Sequence, residues 1–303
     1  MKLQLAYNEP PRRKVNSLEY AITNAVANIS RVQVLTENAT QEVLAFLKMR
    51  PVHTVVMTSF IRDNGLESAV HRGTFYGYRN AAGELEGIAL IGHTTLVEAR
   101  SEDALITLAL KARESETPIH IMMSDGNSIE SFWQYYSGDQ QPRLVCEERL
   151  FEIKHPVMVR ETVPGLRQAA AEELLPIAEA HARVALEESG VNPMEKDREG
   201  FLKRVARRIE QGRTWVVFDE DKLVFKTDVI AETADVMYLE GIYVNEENRG
   251  QGIGANCLSQ LSRVLLEKVK YVCLLSNVEF TQAHNAYRAA GFKSKDCCVT
   301  MFV

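Results

Sequence analysis

A glycine-rich segment follows an apolar stretch and opens a helical pattern, and it reads Arg249-Gly250-Gln251-Gly252-Ile253-Gly254-Ala255. A turn at a helix N-terminus presents backbone N–H groups that have no partner within the helix, and the positive end of the helix dipole favours an anion there. Glycines let the backbone come close to that anion. The segment therefore predicts a phosphate or pyrophosphate site, although similar turns occur in dinucleotide-binding folds and in plain tight turns.

The surroundings of this segment separate the alternatives. A dinucleotide-binding unit would carry an acidic residue about 20 positions further on, at the end of the next strand, whereas the next predicted strand reads YVCLLSN. A Walker loop needs Gly-Lys-Ser/Thr, which the segment lacks. Neither class of nucleotide site fits the sequence.

Three motifs, in the same order and spacing, resemble those of the GNAT acetyltransferases. Arg249, Gly252 and Gly254 match the family's Q/R-x-x-G-x-G/A loop. The preceding Ile242-Tyr243-Val244 resembles the family's central strand, and the segment YRAAGF from Tyr287 resembles its Y-x-x-x-G-F element. The stretches EESGVNP, LVFKTDV and LLSN to AAGF are similar to a subfamily of predicted acetyltransferases with a diverged N-terminal domain.

The resemblance implies acetyl-CoA as co-substrate. Arg249 would help to neutralise phosphate, and the pyrophosphate would be held by backbone N–H groups of the glycine-rich segment: Gly250, Gln251, Gly252, Ile253, Gly254 and Ala255. The strand edge of Ile242, Tyr243 and Val244, splayed from the next strand, would pair with the pantetheine amides as an added strand does. The Ile242 N–H would then face the thioester oxygen and stabilise the developing oxyanion.

Glu240 is the candidate catalytic base. A lysine-like amine with a pKa of about 10.4 is neutral in about one molecule in 2,500 at pH 7, so a base can aid its attack. Glu240 lies two residues before Ile242, and strand alternation would put both side chains on one face, beside the thioester. The alternative interpretation is a strand-end carboxylate in a salt bridge.

Three further side chains have two interpretations each. Tyr287 matches the family's tyrosine, which would hydrogen-bond the CoA sulfur and protonate the leaving thiolate, or it is an aromatic packing residue. Asn277 and Asn285 either hydrogen-bond pantetheine or cap and turn the chain. Glu187 and Glu188 offer negative charge on the substrate side or form a solvated helix face.

The elements that must position these residues indicate an α/β fold with a mixed sheet, of the GNAT type in the C-terminal half. A strand over 157–163 and a helix over 166–189, which Pro176 should kink or split, are followed by a second helix over 197–212. Strands and helices then alternate, with strands at 214–220, 222–230, 236–244, 271–277 and 297–303 and helices at 255–269 and 281–291.

The first half also predicts a mixed α/β unit. Strand-like segments occupy 32–36, 52–61 and 118–125, helical segments 37–48, 102–114 and 127–137, and a hairpin over 75–99 turns at Asn80 to Gly83. A strand before Pro156 leads into the inter-domain connection, which gives domains of 1–155 and 156–303. We expect the first to be a diverged GNAT-like or accessory α/β domain that supports the fold, shapes the substrate cleft or mediates pairing into a homodimer.

Composition excludes several classes of protein. Hydrophobic residues make up 46% and charged residues 25% of the 303 residues, as in ordinary globular proteins. The net charge of -6 argues against nucleic acid as a partner and permits a cationic substrate. The N-terminus lacks the apolar core of a signal peptide, and no stretch approaches about 18 apolar residues, so we expect a cytoplasmic protein without a membrane partner. His181 and His284 show no metal-ligand spacing, and we expect no metal.

These observations predict an N-acetyltransferase that moves an acetyl group from acetyl-CoA to a primary amine by direct attack in a ternary complex. The acceptor is a protein lysine or a small amine of the polyamine or aminoglycoside type, and LEGIYV is similar to a stretch of aminoglycoside acetyltransferases. The alternative is a CoA-binding sensor or regulatory module that uses the same loop without catalysis.

Overall fold

The computed structural model describes residues 25–26, 28–138, 140–158 and 161–303. Within these residues twelve strands form one mixed sheet. In chain order the strands are β1 (Val32–Val34), β2 (Gly73–Arg79), β3 (Leu85–Gly92), β4 (Thr94–Ala99), β5 (Ile121–Asp125), β6 (Leu144–Ile153), β7 (Arg167–Gln168), β8 (Thr214–Asp219), β9 (Lys222–Glu232), β10 (Val236–Val244), β11 (Tyr271–Asn277) and β12 (Lys293–Phe302). Their order across the sheet is β1-β2-β3-β4-β5-β12-β6-β11-β10-β9-β8-β7.

Helices cover both faces of this sheet. They are α1 (Thr40–Leu47), α2 (Val55–Asn64), α3 (Glu102–Arg113), α4 (Gly126–Ser137), α5 (Leu174–Ser189), α6 (Pro193–Lys196), α7 (Arg198–Glu210), α8 (Ile253–Leu265) and α9 (Thr281–Ala289). In the first half α3 and α4 pack over one core, and α1 and α2 over another. In the second half α8 covers one core of β9–β11, and α5 and α7 cover a separate core of β8–β10. The predicted mixed α/β fold is confirmed.

Both halves contain an antiparallel meander followed by one parallel strand pair. In the first half β1 to β4 are antiparallel, and β4 then pairs in parallel with β5. In the second half β7 to β10 are antiparallel, and β10 pairs in parallel with β11. The predicted hairpin turn is present, because the Gly83 N–H donates to the Asn80 carbonyl between β2 and β3.

Strands β6 and β12 interlock the two halves. β6 lies between β11 and β12 and is antiparallel to both. β12, the last strand of the chain, also pairs with β5 of the first half. The predicted strand before Pro156 is present as β6, and it is a central strand of the sheet. The first half therefore contributes one wall of any cleft that the second half forms beside β11.

Three predicted segments differ from the structure. Residues 52–61, predicted as a strand, lie largely in α2, which packs into two cores at once, so its buried residues are not confined to one helical face.

The helix predicted from Leu166 begins at Leu174, because Arg167 and Gln168 pair with β8 as an edge strand. Pro176 lies in the first turn of α5, where a backbone N–H has no helical partner, and it therefore causes no split. Of the strand predicted over 157–163, residues 159–160 lie outside the described residues, and the others form no strand.

Candidate functional site

The site begins where β10 and β11 separate. Parallel pairing runs from Val236 with Tyr271 to Leu239 with Leu274 and then stops. Beyond that point β11 continues against β6, as far as Asn277 opposite Glu148. The strands thus open a cleft whose one edge is the end of β10, including Ile242, Tyr243 and Val244, and whose other wall is backed by β6.

A β-bulge at Gly241 reorients the end of β10. Glu240 is opposite Asp228 of β9 and Tyr243 is opposite Lys226, so one extra residue lies on β10. Gly241 has a φ of 60°, a left-handed conformation that glycine adopts without steric cost. The bulge interrupts the strand's alternation of side chains.

The expectation that Glu240 and Ile242 share one face of the strand is wrong. Ile242 packs in the core beneath α8, whereas Tyr243, the residue after it, packs in the core of α5 and α7. The charges that act on Glu240 are those of Arg208, Asp228 and Lys226, which lie on the α5 and α7 side. Glu240 therefore faces a compartment on the opposite side of β10 from α8.

Three carboxylates converge in that compartment, namely Glu240 of β10, Glu148 of β6 and Glu188 near the end of α5. Burial and the negative charge of Glu240 raise the pKa of Glu148 to about 7. The Thr300 hydroxyl, which donates a hydrogen bond of 2.5 Å to Glu148 Oε2, opposes this increase. Lost hydration and the charges of Glu240 and Glu148 raise the pKa of Glu188 to about 7 as well. Burial also raises the pKa of Glu240, which Arg208 and Lys226 oppose. Glu148 and Glu188 can therefore exchange a proton near neutral pH, and Glu240 is coupled to both of them by charge.

Sequence reasoning missed Glu148. Its strand was predicted as one that leads into the inter-domain connection, and no local pattern indicates that β6 pairs with a strand far along the chain. Glu188 was noted as a source of negative charge, and the structure places it with Glu240 and Glu148.

A buried ionic cluster lies directly beneath the bulge. The Lys226 ammonium is fully buried and lies 2.5 Å from Asp228 Oδ2 and 2.9 Å from His181 Nδ1. Asp228 also accepts a hydrogen bond of 2.7 Å from the Thr214 hydroxyl, and Arg208 lies 3.6 Å away. Burial lowers the pKa of His181 to about 4 and lowers that of Lys226, whereas the surrounding cations outweigh burial and hold the pKa of Asp228 below its ordinary value.

Tyr287 of α9 lies on the side of α8. Its side chain is buried against Phe151 of β6, with ring centroids 5.4 Å apart in an edge contact. Burial raises its pKa to about 12. Tyr287 therefore packs in the core and also keeps its phenolic proton at neutral pH, so it can donate to an atom that enters the cleft.

The glycine-rich segment forms an open turn between β10 and α8. Gly250 and Gly252 have φ values of 74° and 81°, and Gly250 through Gly252 are exposed. Arg249 Nε donates to the Val244 carbonyl at 3.0 Å, and Gln251 Nε2 to the Glu247 carbonyl at 2.8 Å, so these side chains brace the turn.

The start of α8 is suited to an anion. It begins at Ile253, no side chain caps it, and its first turn contains no acidic residue. Its first N–H groups, from Ile253 to Ala255, point out of the helix end as in any helix. Gly254 allows α8 to approach the end of β10, because a Cβ there would lie 3.1 Å from Val244 Cγ2. The helix end and the open edge of β10 are therefore adjacent.

Asn277 and Asn285 differ in their surroundings. The Asn277 side-chain oxygen accepts a hydrogen bond of 2.9 Å from the Glu279 N–H, and the Asn277 backbone carbonyl oxygen lies 3.0 Å from His284 Nε2. It shapes the turn before α9. Asn285 is exposed on α9, and its Oδ1 lies 3.4 Å from Arg288 Nη1.

The described residues contain neither a cluster of metal ligands nor a helix that could span a membrane. Among them, no three His, Cys, Asp or Glu side chains are arranged to hold a metal ion. No helix in the described ranges combines the length and apolar content that a membrane span requires.

Comparisons with known proteins agree with this architecture. Residues 210–294 match the family model of the acetyltransferase (GNAT) domain. No curated protein shows significant similarity to the chain. Among solved structures, a Drosophila protein is 11% identical, covers 90% of this chain and 98% of its own, and has a TM-score of 0.65.

Two further solved structures show the same fold. A tandem GNAT protein from the clavulanic acid biosynthesis pathway is 14% identical over 90% of this chain and 97% of its own, with a TM-score of 0.57. A GNAT-family acetyltransferase from Colwellia psychrerythraea is 13% identical over 89% of this chain and 98% of its own, with a TM-score of 0.53. Each similarity extends over both halves of the chain and establishes the fold.

Proposed function

The chain carries a GNAT acetyltransferase domain, and on that premise we propose that it transfers an acetyl group from acetyl-CoA to a primary amine by direct attack in a ternary complex. One observation carries the proposal. The uncapped start of α8 adjoins the open edge of β10, and the three carboxylates lie across the same strand. A turn suited to an anion and carboxylates suited to accept a proton thus lie at one splayed strand.

The co-substrate would lie along the α8 side of β10. Backbone N–H groups from Gly250 to Ala255 would bind the pyrophosphate, because they stand at a helix N-terminus without an acidic side chain. The open edge of Ile242 to Val244 would pair with the pantetheine amides. Arg249, which is exposed beside this turn, would add positive charge.

The acceptor would enter from the α5 side. An ammonium group would be attracted by Glu148, Glu188 and Glu240, and the pKa values of Glu148 and Glu188, raised to about 7, would let the cluster take its proton near neutral pH. We assign the base to Glu240, directly or through a water. Because the cluster holds up to three negative charges, an acceptor with more than one positive charge suits it better than a neutral amine does.

The transfer itself then requires one bond to form and one to break. The neutral amine nitrogen attacks the thioester carbon, the Ile242 N–H stabilises the oxyanion, and the carbon–sulfur bond breaks as the amide forms. Tyr287, protonated at neutral pH, donates its proton to the departing sulfur. As the amide forms, the nitrogen loses its second proton to Glu240, which has passed the earlier ammonium proton to water, and Tyr287 regains a proton from the solvent.

Release of free CoA thiol tests the proposal. The purified chain is incubated with acetyl-CoA and a panel containing a monoamine, a diamine, a polyamine, an aminoglycoside and a lysine peptide. We expect amine-dependent thiol release, fastest with a polycationic acceptor. Binding of acetyl-CoA without thiol release from any amine would instead establish a CoA-binding sensor.

A further inference from the structure

A buried ion pair beneath the bulge is not explained by stability. The Lys226 side chain is fully buried and that of Asp228 is 2% exposed. Removing two charges from water costs several kcal/mol per ion, and well-packed apolar residues of similar volume are often as stabilising or more so. A cluster with this cost is expected to fix a conformation that an apolar core would leave free.

What the cluster fixes is the backbone at Gly241. Besides Asp228 and His181, the Lys226 ammonium donates a hydrogen bond of 3.2 Å to the Gly241 carbonyl. A Cβ on Gly241 would lie 2.7 Å from Lys226 Nζ and 3.3 Å from His181 Nδ1, so the bulge rests directly on the cluster. Within the described β9, β10 and β11, the pairing register skips Gly241 and Ile242.

The orientation of one peptide plane follows from this contact. None of the described peptide bonds is cis, and in a planar trans peptide the carbonyl and the following N–H point in opposite directions. The Gly241 carbonyl is drawn toward Lys226 on β9. The Ile242 N–H therefore points away from the Lys226 ammonium and the ionic cluster.

We propose that Lys226, held by Asp228 and His181, is a positioning residue that sets the Gly241–Ile242 peptide so that the Ile242 N–H faces the reacting carbonyl. The inference rests on the proposed function, in which that N–H stabilises the oxyanion. Lys226 does not touch the reacting atoms. Its effect on the reaction passes through the bulge alone.

The test separates positioning from charge balance. In K226M the cluster loses a cation and leaves Asp228 without its closest partner, so a loss of activity there has two explanations. In K226M/D228N both charges are gone, while the introduced amide can still accept from Thr214 and donate to His181. The control K203M removes an exposed ammonium of α7 that pairs with Glu199.

Positioning predicts that K226M/D228N folds with a melting temperature near that of wild type and binds acetyl-CoA with a similar Kd, while its kcat falls about 100-fold. K203M should match wild type. Recovery of wild-type kcat in the double variant would show that Lys226 serves only to balance Asp228, and it would overturn the proposal.

A second measurement does not depend on turnover. In ¹⁵N-labelled protein, the Ile242 amide resonance should shift strongly in K226M/D228N and not in K203M. An unchanged Ile242 resonance would overturn the positioning role whatever the activity. If wild type binds acetyl-CoA but acetylates no amine, the proposed function fails, and the resonance still decides whether Lys226 sets the bulge.

Discussion

The sheet contains two splayed pairs of parallel strands, β4 with β5 in the first half and β10 with β11 in the second. In each half, parallel pairing stops partway, after Leu96 with Met123 in the first and after Leu239 with Leu274 in the second. A helix follows the first strand of each pair, α3 after β4 and α8 after β10. The two regions share a topology, and their differences show what the second adds.

The turns and helix starts differ in charge and length. α3 begins after a two-residue connection from β4, with Ser101 as its N-cap and Glu102 and Asp103 in its first turn. A carboxylate there occupies the position that an anion would take. α8 follows an eight-residue connection from Asn245 to Gly252 and carries neither a side-chain cap nor an acid. Only the second turn is suited to a phosphate.

The clefts themselves also differ. β4 pairs with β3 in continuous register, so it has no counterpart of the Gly241 bulge. Its gap from β5 is bridged by Arg50, which lies 3.2 Å from Glu98 and 2.9 Å from Asp125, and by the Ser124 hydroxyl, which donates to the Val97 carbonyl at 2.9 Å. The bulge and the open turn accompany β10 and β11 and are missing at β4 and β5. These two features distinguish the candidate site from a splayed strand pair alone.

Gly252→Val should have the largest effect. It places a β-branched residue at a φ of 81° in the turn that would hold the pyrophosphate, so we expect acetyl-CoA binding to disappear in calorimetry. Gly83→Val is the matched control, because it incurs the same backbone strain at a φ of 83° in the β2–β3 hairpin. Loss of binding in both variants would mean that strain alone, and not the turn, is responsible.

Glu240→Gln should keep acetyl-CoA affinity and lower kcat by about 10² to 10⁴, the contribution of a general base. The control is Glu98→Gln, which changes a buried carboxylate of β4 whose pKa is likewise raised by burial. We expect Glu98→Gln to leave kcat unchanged. Equal activity of Glu240→Gln and wild type would remove Glu240 from the role of base.

Tyr287→Phe should lower kcat on the order of tenfold, less than Glu240→Gln does, because a thiol with a pKa of about 8.5 is already a fair leaving group. The ring and its contact with Phe151 are retained, so the fold should persist. Steady-state kinetics with acetyl-CoA and the preferred amine measures the change. A loss as large as that of Glu240→Gln would contradict this ranking.

Glu148→Gln should shift the pH profile rather than abolish activity. Carboxylates must lose their protons to act as bases, so kcat/KM should rise with pH through about 7, where Glu148 and Glu188 titrate. Removing one negative charge lets the remaining carboxylates ionise more readily, and the rising limb should move to lower pH. Glu147→Gln, at the exposed neighbouring position of β6, should leave the limb in place.

The sequence predicted local elements better than their partners. β10 and β11 have the predicted bounds, because each is an apolar run closed by turn residues. Gly241 within such a run is a signal for a bulge, and reading it would have separated Glu240 from Ile242. Glu148 carried no such signal, since its position depends on pairing between β6 and β11, more than a hundred residues apart.

Calorimetric titration of the wild-type chain with acetyl-CoA tests the central claim most directly. The open turn before α8 predicts one binding site per chain, and the acidic start of α3 predicts none in the first half. A stoichiometry of one, lost in Gly252→Val, agrees with the account. Two sites per chain, or no heat of binding at all, would contradict it.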